Sequence, residues 1–253
     1  MTVYVIAGIP GVGKTSQIFS FAKLFKPVRW ASFESKDKKF FDMVLKGESK
    51  EAFDQQVILK TYPVGHMDAL GNSVSMMPDA TATLNSFEMW VNDTIRANPK
   101  TVVVDGISGI NEYARDEWIF NDNAIRVKNN LKPRKSISGE NKFAYSEIND
   151  RVKRLIMPLI QWGYDSGNDV FLTANMADKY VDGNVVGDKI DAKPWIVKEA
   201  EVVLTFMKDR EHYWTECSKI PNWAHTKEST FAVDLRRDDG LIEILSIHGF
   251  ITR

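Results

Sequence analysis

The chain has 253 residues, with 33 Lys and Arg against 34 Asp and Glu, so its formal net charge is −1. The hydrophobic fraction (43%) and the charged fraction (26%) are those of a folded globular protein and exclude an intrinsically disordered chain. The single cysteine, Cys217, excludes an internal disulfide framework and a multi-cysteine metal site, and it fits a reducing cytoplasm. No apolar stretch approaches the ~18 residues that span a bilayer, and no basic segment precedes the first apolar run, so we expect neither membrane insertion nor a secretory signal.

The first third of the chain alternates between β-branched runs and helical patterns. A short apolar run that ends at a glycine turn predicts a buried strand, and apolar residues at intervals of three and four predict a helix. In chain order, the predicted elements are strand 2–7, helix 14–25, strand 28–33, helix 36–46, strand 56–62 and a loop over 63–83.

The rest of the chain continues this alternation and ends in a β-rich part. The predicted elements are a helix from Leu84 that stops at Asn98-Pro99, strand 101–104, helix 143–161 with a kink or local break at Pro158, strand 169–173, and strands 201–207, 212–217, 230–235 and 241–246. We therefore predict one α/β domain over 1–253, with a mainly parallel sheet flanked by helices and with β-hairpins from about 201.

The strongest motif is Gly-Ile-Pro-Gly-Val-Gly-Lys-Thr at residues 8–15, a full match to G-x4-G-K-[ST] between a predicted strand and a predicted helix. Glycines let backbone N–H groups converge on phosphate oxygens, and the helix N-terminus favours negative charge. Lys14 is expected to reach the β- and γ-phosphates, and the Thr15 hydroxyl to bind Mg²⁺. The expected nucleotide-binding residues are Gly8, Pro10, Gly11, Val12, Gly13, Lys14, Thr15 and Ser16.

Polar residues also end three other predicted strands, and the carboxyl ends of parallel strands meet where ligands of open α/β sheets bind. Asp105 ends the run 101–104 and is predicted to hold Mg²⁺ with Thr15. Glu34 can orient or deprotonate a water for attack on the γ-phosphate, or it is a solvated acid that caps a helix. Thr173 and Asn175 end a further strand and can sense the γ-phosphate, or they are ordinary strand-end residues.

The order of these motifs resembles that of the RecA-like ATPases. Within them the chain looks most like the small phage and archaeal-virus ATPases of the recombination group, which are associated with single-strand annealing. Those proteins have GPPGVGKT-like, DSIT-like and ILTAH-like motifs, and this chain has GIPGVGKT, Asp105-Gly-Ile-Ser108 and Phe171-Leu-Thr-Ala-Asn175. Glu34 matches the position of the family's catalytic glutamate. The resemblance covers most of residues 1–220.

This resemblance implies an ATPase that uses ATP and Mg²⁺, with Lys14, Glu34, Asp105 and Asn175 as catalytic residues. It also implies a homo-oligomer, ring or filament, that acts on single-stranded DNA in recombination or replication. The location would be cytoplasmic, in the host cytoplasm if the chain is virus-encoded.

The chain departs from the family pattern in two places. The family has a Lys-Asn-Arg-like element that reaches the nucleotide of a neighbouring subunit; this chain keeps Lys219 there and loses the arginine, for which Arg210 is a nearby substitute. The sensor strand ends in Asn175 rather than glutamine or histidine. Hydrolysis across a subunit boundary therefore stays an open question at the level of sequence. Two alternative functions are a P-loop kinase of small molecules and a nucleotide-dependent assembly switch that hydrolyses weakly.

Residues 126–142 contain six basic residues and one acid, together with Pro, Ser and Gly, which predicts a mobile basic loop. In a RecA-like fold this loop faces DNA, so Lys132, Arg134 and Lys135 are candidate DNA-binding residues. The nearly neutral segment 176–194 is at the position of a second such loop. A solvated loop of no particular function explains the charges of 126–142 equally well, and a third interpretation is the lid of a small-molecule kinase.

Overall fold

The computed structural model describes residues 2–34, 57–62, 80–137, 141–181, 184–209, 212–219, 230–231 and 240–247. Its strands are β1 (Val3–Gly8), β2 (Val28–Ser32), β3 (Val57–Thr61), β4 (Thr101–Asp105), β5 (Asp169–Ala174), β6 (Met176–Val181), β7 (Asn184–Ile190), β8 (Val202–Lys208), β9 (Tyr213–Lys219) and β10 (Thr230–Phe231). Its helices are α1 (Lys14–Leu24), α2 (Ala80–Ala97), α3 (Ile107–Lys128), α4 (Lys142–Ser166), α5 (Pro194–Glu199) and α6 (Gly240–Ile247).

The central sheet has eight strands in the order β10-β9-β8-β1-β5-β4-β2-β3. All neighbours from β8 to β3 are parallel, whereas β9 and β10 extend one edge in antiparallel orientation. The prediction of a mainly parallel α/β sheet is therefore confirmed. Because the carboxyl ends of parallel strands lie at one edge, this edge collects the loops that follow β1, β2, β4 and β5.

Both faces of the sheet are covered by apolar side chains. Val3 and Val5 of β1 belong to the core under α2, α3 and α4, whereas Tyr4 and Ile6 belong to the core under α1 and α6. Successive strand residues point to opposite faces, so a strand that is buried on both sides has an uninterrupted apolar sequence. This explains why the apolar runs that predicted β1, β4 and β5 identified central strands.

Helices α2, α3 and α4 are joined by a network around Arg151, whose side chain is 13% exposed. Its guanidinium donates to Glu88 of α2 at 2.7 Å and to Glu117 of α3 at 3.1 Å. A second contact joins α3 to α4, since the indole N–H of Trp118 donates to Glu147 at 2.7 Å. These contacts join the middle of α3 to the first half of α4.

One predicted strand is wrong, because residues 241–246 belong to helix α6. Leu241, Ile244 and Leu245 are all buried, and their spacing places them on one helical face toward α1. The backbone N–H of Leu241 donates to Gln17 Oε1 of α1 at 2.8 Å, which fixes the start of the helix. Periodicity alone does not separate a short apolar helix from a strand, and here contact with α1 decides between them.

The predicted mobile loop over 126–142 is wrong at both ends, since α3 continues to Lys128 and α4 begins at Lys142. The sequence did not predict helix α3. In its C-terminal half, apolar side chains such as Phe120 (65% exposed) and Ile125 (60% exposed) face solvent, so the apolar residues do not form one stripe. The segment 176–194 forms the hairpin of β6 and β7 and the start of α5 rather than a plain loop.

The other predicted elements agree with the structure within a few residues. Helix α2 begins at Ala80, four positions before the predicted start. Helix α4 is continuous through Pro158. The predicted helix 36–46 and the part of the predicted loop at 63–79 lie outside the described residues, as do residues 232–235 of the strand predicted over 230–235. That 1–253 form a single domain stays a prediction.

Gly163 shows how closely α4 approaches the sheet. A Cβ atom added at Gly163 would lie 2.8 Å from Cγ2 of Val170 in β5 and 3.5 Å from Cγ2 of Val3 in β1. Only a residue without a side chain allows α4 to approach β1 and β5 this closely.

Gly163→Ala should destabilise the fold by about 1–3 kcal/mol, because the added methyl group overpacks a contact between backbone-anchored groups. Chemical denaturation followed by circular dichroism measures the change. The double variant Gly163→Ala/Val170→Ala is the control, since it removes the methyl group that the new Cβ meets. Its cost should be smaller than the sum of the two single changes; simple additivity would contradict the contact.

Candidate functional site

The loop between β1 and α1 forms the centre of the site. Gly13 is the N-cap of α1 and has a φ of 99°, a left-handed conformation that glycine adopts without strain. Gly8 ends β1 so close to β8 that an added Cβ atom would lie 2.6 Å from the carbonyl oxygen of Phe206. The two glycines therefore serve different purposes. Gly13 allows the left-handed backbone conformation, and Gly8 leaves space for the backbone of β8.

Lys14 is the first residue of α1, and its side chain folds back over the loop. The ammonium donates to the carbonyl of Gly8 at 2.8 Å and to that of Ile9 at 3.4 Å, and Lys14 is 8% exposed. It also donates to the side-chain oxygen of Asn175, at 3.2 Å. The cation expected to meet the phosphates is thus held at the carboxyl edge of the sheet, beside the end of β5.

Asp105 ends β4 and is 1% exposed. The hydroxyl of Thr15 donates to one carboxylate oxygen at 2.8 Å, and the hydroxyl of Thr173 donates to the other. Thr173 in turn accepts the backbone N–H of Gly106 at 2.8 Å. This arrangement brings together the two residues predicted to hold the metal, Thr15 and Asp105.

Asn175 connects Lys14 with Glu34. While its amide oxygen accepts from Lys14, its amide nitrogen donates to Glu34 Oε1 at 3.3 Å. The backbone N–H of Glu34 donates to the hydroxyl of Ser32 at 3.1 Å, which orients the residue at the end of β2. The four residues predicted as catalytic (Lys14, Glu34, Asp105 and Asn175) therefore occupy one edge of the sheet.

Two residues that the sequence interpretation left unassigned support Asn175 from behind. The hydroxyl of Ser108, in the first turn of α3, donates to the carbonyl of Asp191 at 2.9 Å and accepts the N–H of Asn175 at 3.4 Å. The N–H of Asp191 donates to the carbonyl of Asn175 at 2.8 Å. These bonds join the end of β5 to the residue that follows β7, at the base of the β6–β7 hairpin. Ser108 stands three positions after Asp105, a spacing that could have suggested it.

Acidic groups accumulate on the α3 side of the site. Partial burial raises the pKa of the Glu112 carboxyl, and the nearby carboxylates of Asp191, Asp116 and Glu34 raise it further, against a smaller opposing effect of Arg115. A carboxyl group with a raised pKa binds its proton more tightly in the folded chain, so its contribution to stability is lost as pH rises through that pKa.

The candidate DNA-binding residues lie on the segment between α3 and α4. The side chain of Arg134 pairs with Asp122 at 3.0 Å, and its backbone N–H and carbonyl bond to the amide of Asn123 at 2.6 Å and 2.9 Å. Lys132 and Lys135 are exposed. The segment is therefore attached to α3 through Arg134, whereas its two lysines face solvent.

Lys219 and Arg210 were predicted to act on the nucleotide of a neighbouring subunit. The ammonium of Lys219 donates to the carbonyl of Lys198 at 2.7 Å and to that of Ala200. Lys219 pairs with Val203 near the start of β8. Since β8 is parallel to β1, Lys219 lies at the amino ends of these strands, away from the loop between β1 and α1. Arg210 lies outside the described residues. The roles of both residues in trans stay predictions.

The donor set at Thr15 and Asp105 fits Mg²⁺, which prefers one or two protein oxygen ligands together with phosphate and water oxygens. Among the described residues there is no group of three or more His, Cys, Asp or Glu side chains that could form a metal site from protein ligands alone.

A solved structure described as the crystal structure of the RadB recombinase is similar to this chain, with a TM-score of 0.51 and 14% sequence identity. The similarity covers 93% of this chain and 88% of that chain. The fold is RecA-like. No protein-family model and no curated protein sequence matches the chain. None of the helices in the described part of the chain is long and apolar enough to cross a membrane.

Thr173→Val should destabilise the protein by about 1–3 kcal/mol, because it leaves the buried N–H of Gly106 without its acceptor and takes one donor from Asp105. Thr173→Ser is the matched control, since it keeps the hydroxyl group. Urea denaturation of both variants measures the difference. Equal stability of the valine and serine variants would contradict the role of this hydroxyl.

Proposed function

We propose that this chain is a P-loop ATPase that binds and hydrolyses ATP and acts on single-stranded DNA in phage-type recombination or replication. The observation that carries the proposal is the convergence of Lys14, Thr15, Asp105, Asn175 and Glu34 at one edge of a RecA-like sheet. Each residue type matches a requirement of phosphoryl transfer, namely a cation, a metal ligand pair, a polar sensor and a base.

Nucleotide binding rests on the loop and on Lys14. Backbone N–H groups of residues 8–15 and the N-terminus of α1 provide positive potential for the β-phosphate. Lys14 now donates to carbonyl oxygens of its own loop, and phosphate oxygens would replace these acceptors when ATP binds. Mg²⁺ held by Thr15 and Asp105 would supply charge neutralisation for the β- and γ-phosphates.

Glu34 is the proposed catalytic base. Its carboxylate lies beside Asn175, which also contacts Lys14, so a water positioned by Glu34 would be close to the end of the phosphate chain. Glu34 would accept a proton from that water as its oxygen attacks the γ-phosphorus, while the bond from that phosphorus to the β–γ bridging oxygen breaks and ADP leaves. Asn175 would hold Glu34 through its amide nitrogen and would sense the phosphate through Lys14, which donates to its amide oxygen.

The proposed DNA partner rests on the exposed lysines between α3 and α4 and on the excess of six basic residues over one acid in 126–142. A chain with net charge −1 needs such a local patch to bind a polyanion. The similar RadB structure is described as a recombinase, which favours the same kind of partner. We further propose a cytoplasmic homo-oligomer, a ring or a filament, in the manner of the phage and viral ATPases that the motifs resemble.

A second candidate function is a nucleotide-dependent assembly switch with weak hydrolysis. It is favoured by the contacts of Lys219 with carbonyl groups of its own chain, because a residue committed in this way is less available to complete a neighbour's site.

Glu34→Gln should leave binding of ATP with Mg²⁺ intact and lower turnover about 100-fold or more, since glutamine keeps the size and hydrogen bonding but cannot accept the proton. Phosphate release under saturating ATP measures turnover, and fluorescence of a labelled ATP analogue measures binding. Lys14→Ala is the reference variant and should lose binding itself. Normal turnover in Glu34→Gln would move the base elsewhere and favour the switch, whereas normal binding in Lys14→Ala would refute the nucleotide site.

The double variant Lys132→Ala/Lys135→Ala should weaken binding of single-stranded DNA. The negative slope of the logarithm of the binding constant against the logarithm of the salt concentration should become shallower by about 0.7 for each phosphate that the protein no longer neutralises. Fluorescence anisotropy of a labelled oligonucleotide at several salt concentrations measures both quantities. Lys100→Ala/Lys153→Ala removes the same charge from exposed positions elsewhere and should bind as the wild type does. Equal weakening by the two double variants would contradict a local DNA site.

A further inference from the structure

The carboxyl ends of the parallel strands form the edge of the sheet that carries the phosphate loop (residues 8–15), and the strand order divides this edge into two sides. Strands β5, β4 and β2 lie on one side of β1 and carry Asn175, Asp105 and Glu34 at or just beyond their ends. Strand β8 lies on the other side of β1 and pairs with it as far as Gly8 opposite Phe206. The chemical groups of the proposed reaction are therefore all on one side of the phosphate loop, and β8 borders the other side.

Lys208 is the last residue of β8, and its side chain reaches the outer part of the phosphate loop. Its ammonium donates to the carbonyl oxygen of Gly11 at 3.4 Å. A Cβ atom added at Gly11 would meet this ammonium at 3.7 Å, so the lysine covers the loop at a residue with no side chain of its own. Lys208 is partly exposed, which leaves one flank of the side chain open to a ligand.

The position of Lys208 is set by the backbone. Phe206, two residues earlier, approaches Gly8 so closely that there is no space for a side chain at Gly8. Just after Lys208, the N–H of Asp209 donates to the carbonyl of His212 at 3.1 Å, and the N–H of His212 donates to Asp209 Oδ1 at 2.7 Å. These bonds join the residue that follows β8 to the residue that precedes β9.

The direction of a bound nucleotide follows from the same geometry. If the γ-phosphate meets Asn175 and Glu34 on the β5 side, the loop and the start of α1 hold the middle of the triphosphate chain. The nucleoside at the far end of that chain must then leave the loop on the opposite side, which is the side of β8. Lys208 is the β8 residue whose charged group contacts the loop there.

We infer that Lys208 is a nucleoside-binding residue of this site, acting within its own subunit on a nucleoside triphosphate. An ammonium has three donors, so it keeps the Gly11 carbonyl and also donates to ribose oxygens. The methylene stem of the lysine is apolar and covers one face of the base. The inference rests on the proposed nucleotide site and adds to it the residue that recognises the nucleoside rather than the phosphates.

The test compares two ligands that share the phosphates but differ in the nucleoside, ATP and inorganic tripolyphosphate, each with Mg²⁺. Lys208→Ala should weaken ATP binding about 10-fold, the effect of losing one charged hydrogen bond, and leave tripolyphosphate binding unchanged. Lys208→Met keeps the apolar stem and should lose less ATP affinity than Lys208→Ala. Isothermal titration calorimetry measures each affinity, and circular dichroism verifies folding.

The controls separate this inference from the proposed function. Lys14→Ala should lose both ligands, and Lys100→Ala, a single-charge control at an exposed position, should lose neither. A folded wild type that binds no ATP overturns the nucleotide site and Lys208 with it. A wild type that binds ATP, combined with a Lys208→Ala variant of unchanged ATP affinity, overturns only the role of Lys208. Equal losses of ATP and tripolyphosphate also overturn it, because they would make Lys208 a phosphate ligand or a support of the loop.

Discussion

The arrangement of the site depends on the burial of one carboxylate, that of Asp105. A carboxylate removed from water requires hydrogen-bond donors or a cation, because burial of an unpaired charge costs several kcal/mol. The donors come from Thr15 at the start of α1 and from Thr173 in β5. Satisfying this group therefore ties the phosphate loop to two neighbouring strands, and the same oxygens remain suited to a divalent cation. The contacts that stabilise this edge therefore involve the same two residues, Thr15 and Asp105, that we propose as metal ligands.

A second chain of contacts, from Lys14 through Asn175 to Glu34, lies beside the first. Asn175 accepts from a cation with its oxygen and donates to a carboxylate with its nitrogen, so the orientation of its amide depends on both charged groups. The backbone of Asn175 is bonded to Asp191 at the base of the β6–β7 hairpin. Val185 and Val186 of this hairpin are exposed.

The basic segment between α3 and α4 shows where charge counting and geometry differ. Six basic residues in 126–142 look alike in the sequence, but the structure assigns them different surroundings. Arg134 pairs with Asp122 and helps to attach the segment to α3, and Arg126 donates to the carbonyl of Lys132 at 2.7 Å. A count of charges does not distinguish a structural arginine from an exposed lysine. The contacts that each side chain makes with α3 and with the segment itself do so.

The sequence by itself determined the central strands, the phosphate loop and the residues Asp105, Glu34 and Asn175 at the strand ends, because a strand buried on both faces is continuously apolar and a phosphate loop needs glycine at fixed positions. It did not determine α3, whose outer half exposes apolar side chains, or α6, whose short apolar run suits a strand as well as a helix. It also did not reveal that Lys208 contacts Gly11 or that Lys219 lies at the far edge of the sheet. These features depend on strand order and on packing between distant segments. Local periodicity records only which side of each element is buried, so the tertiary structure alone decided them.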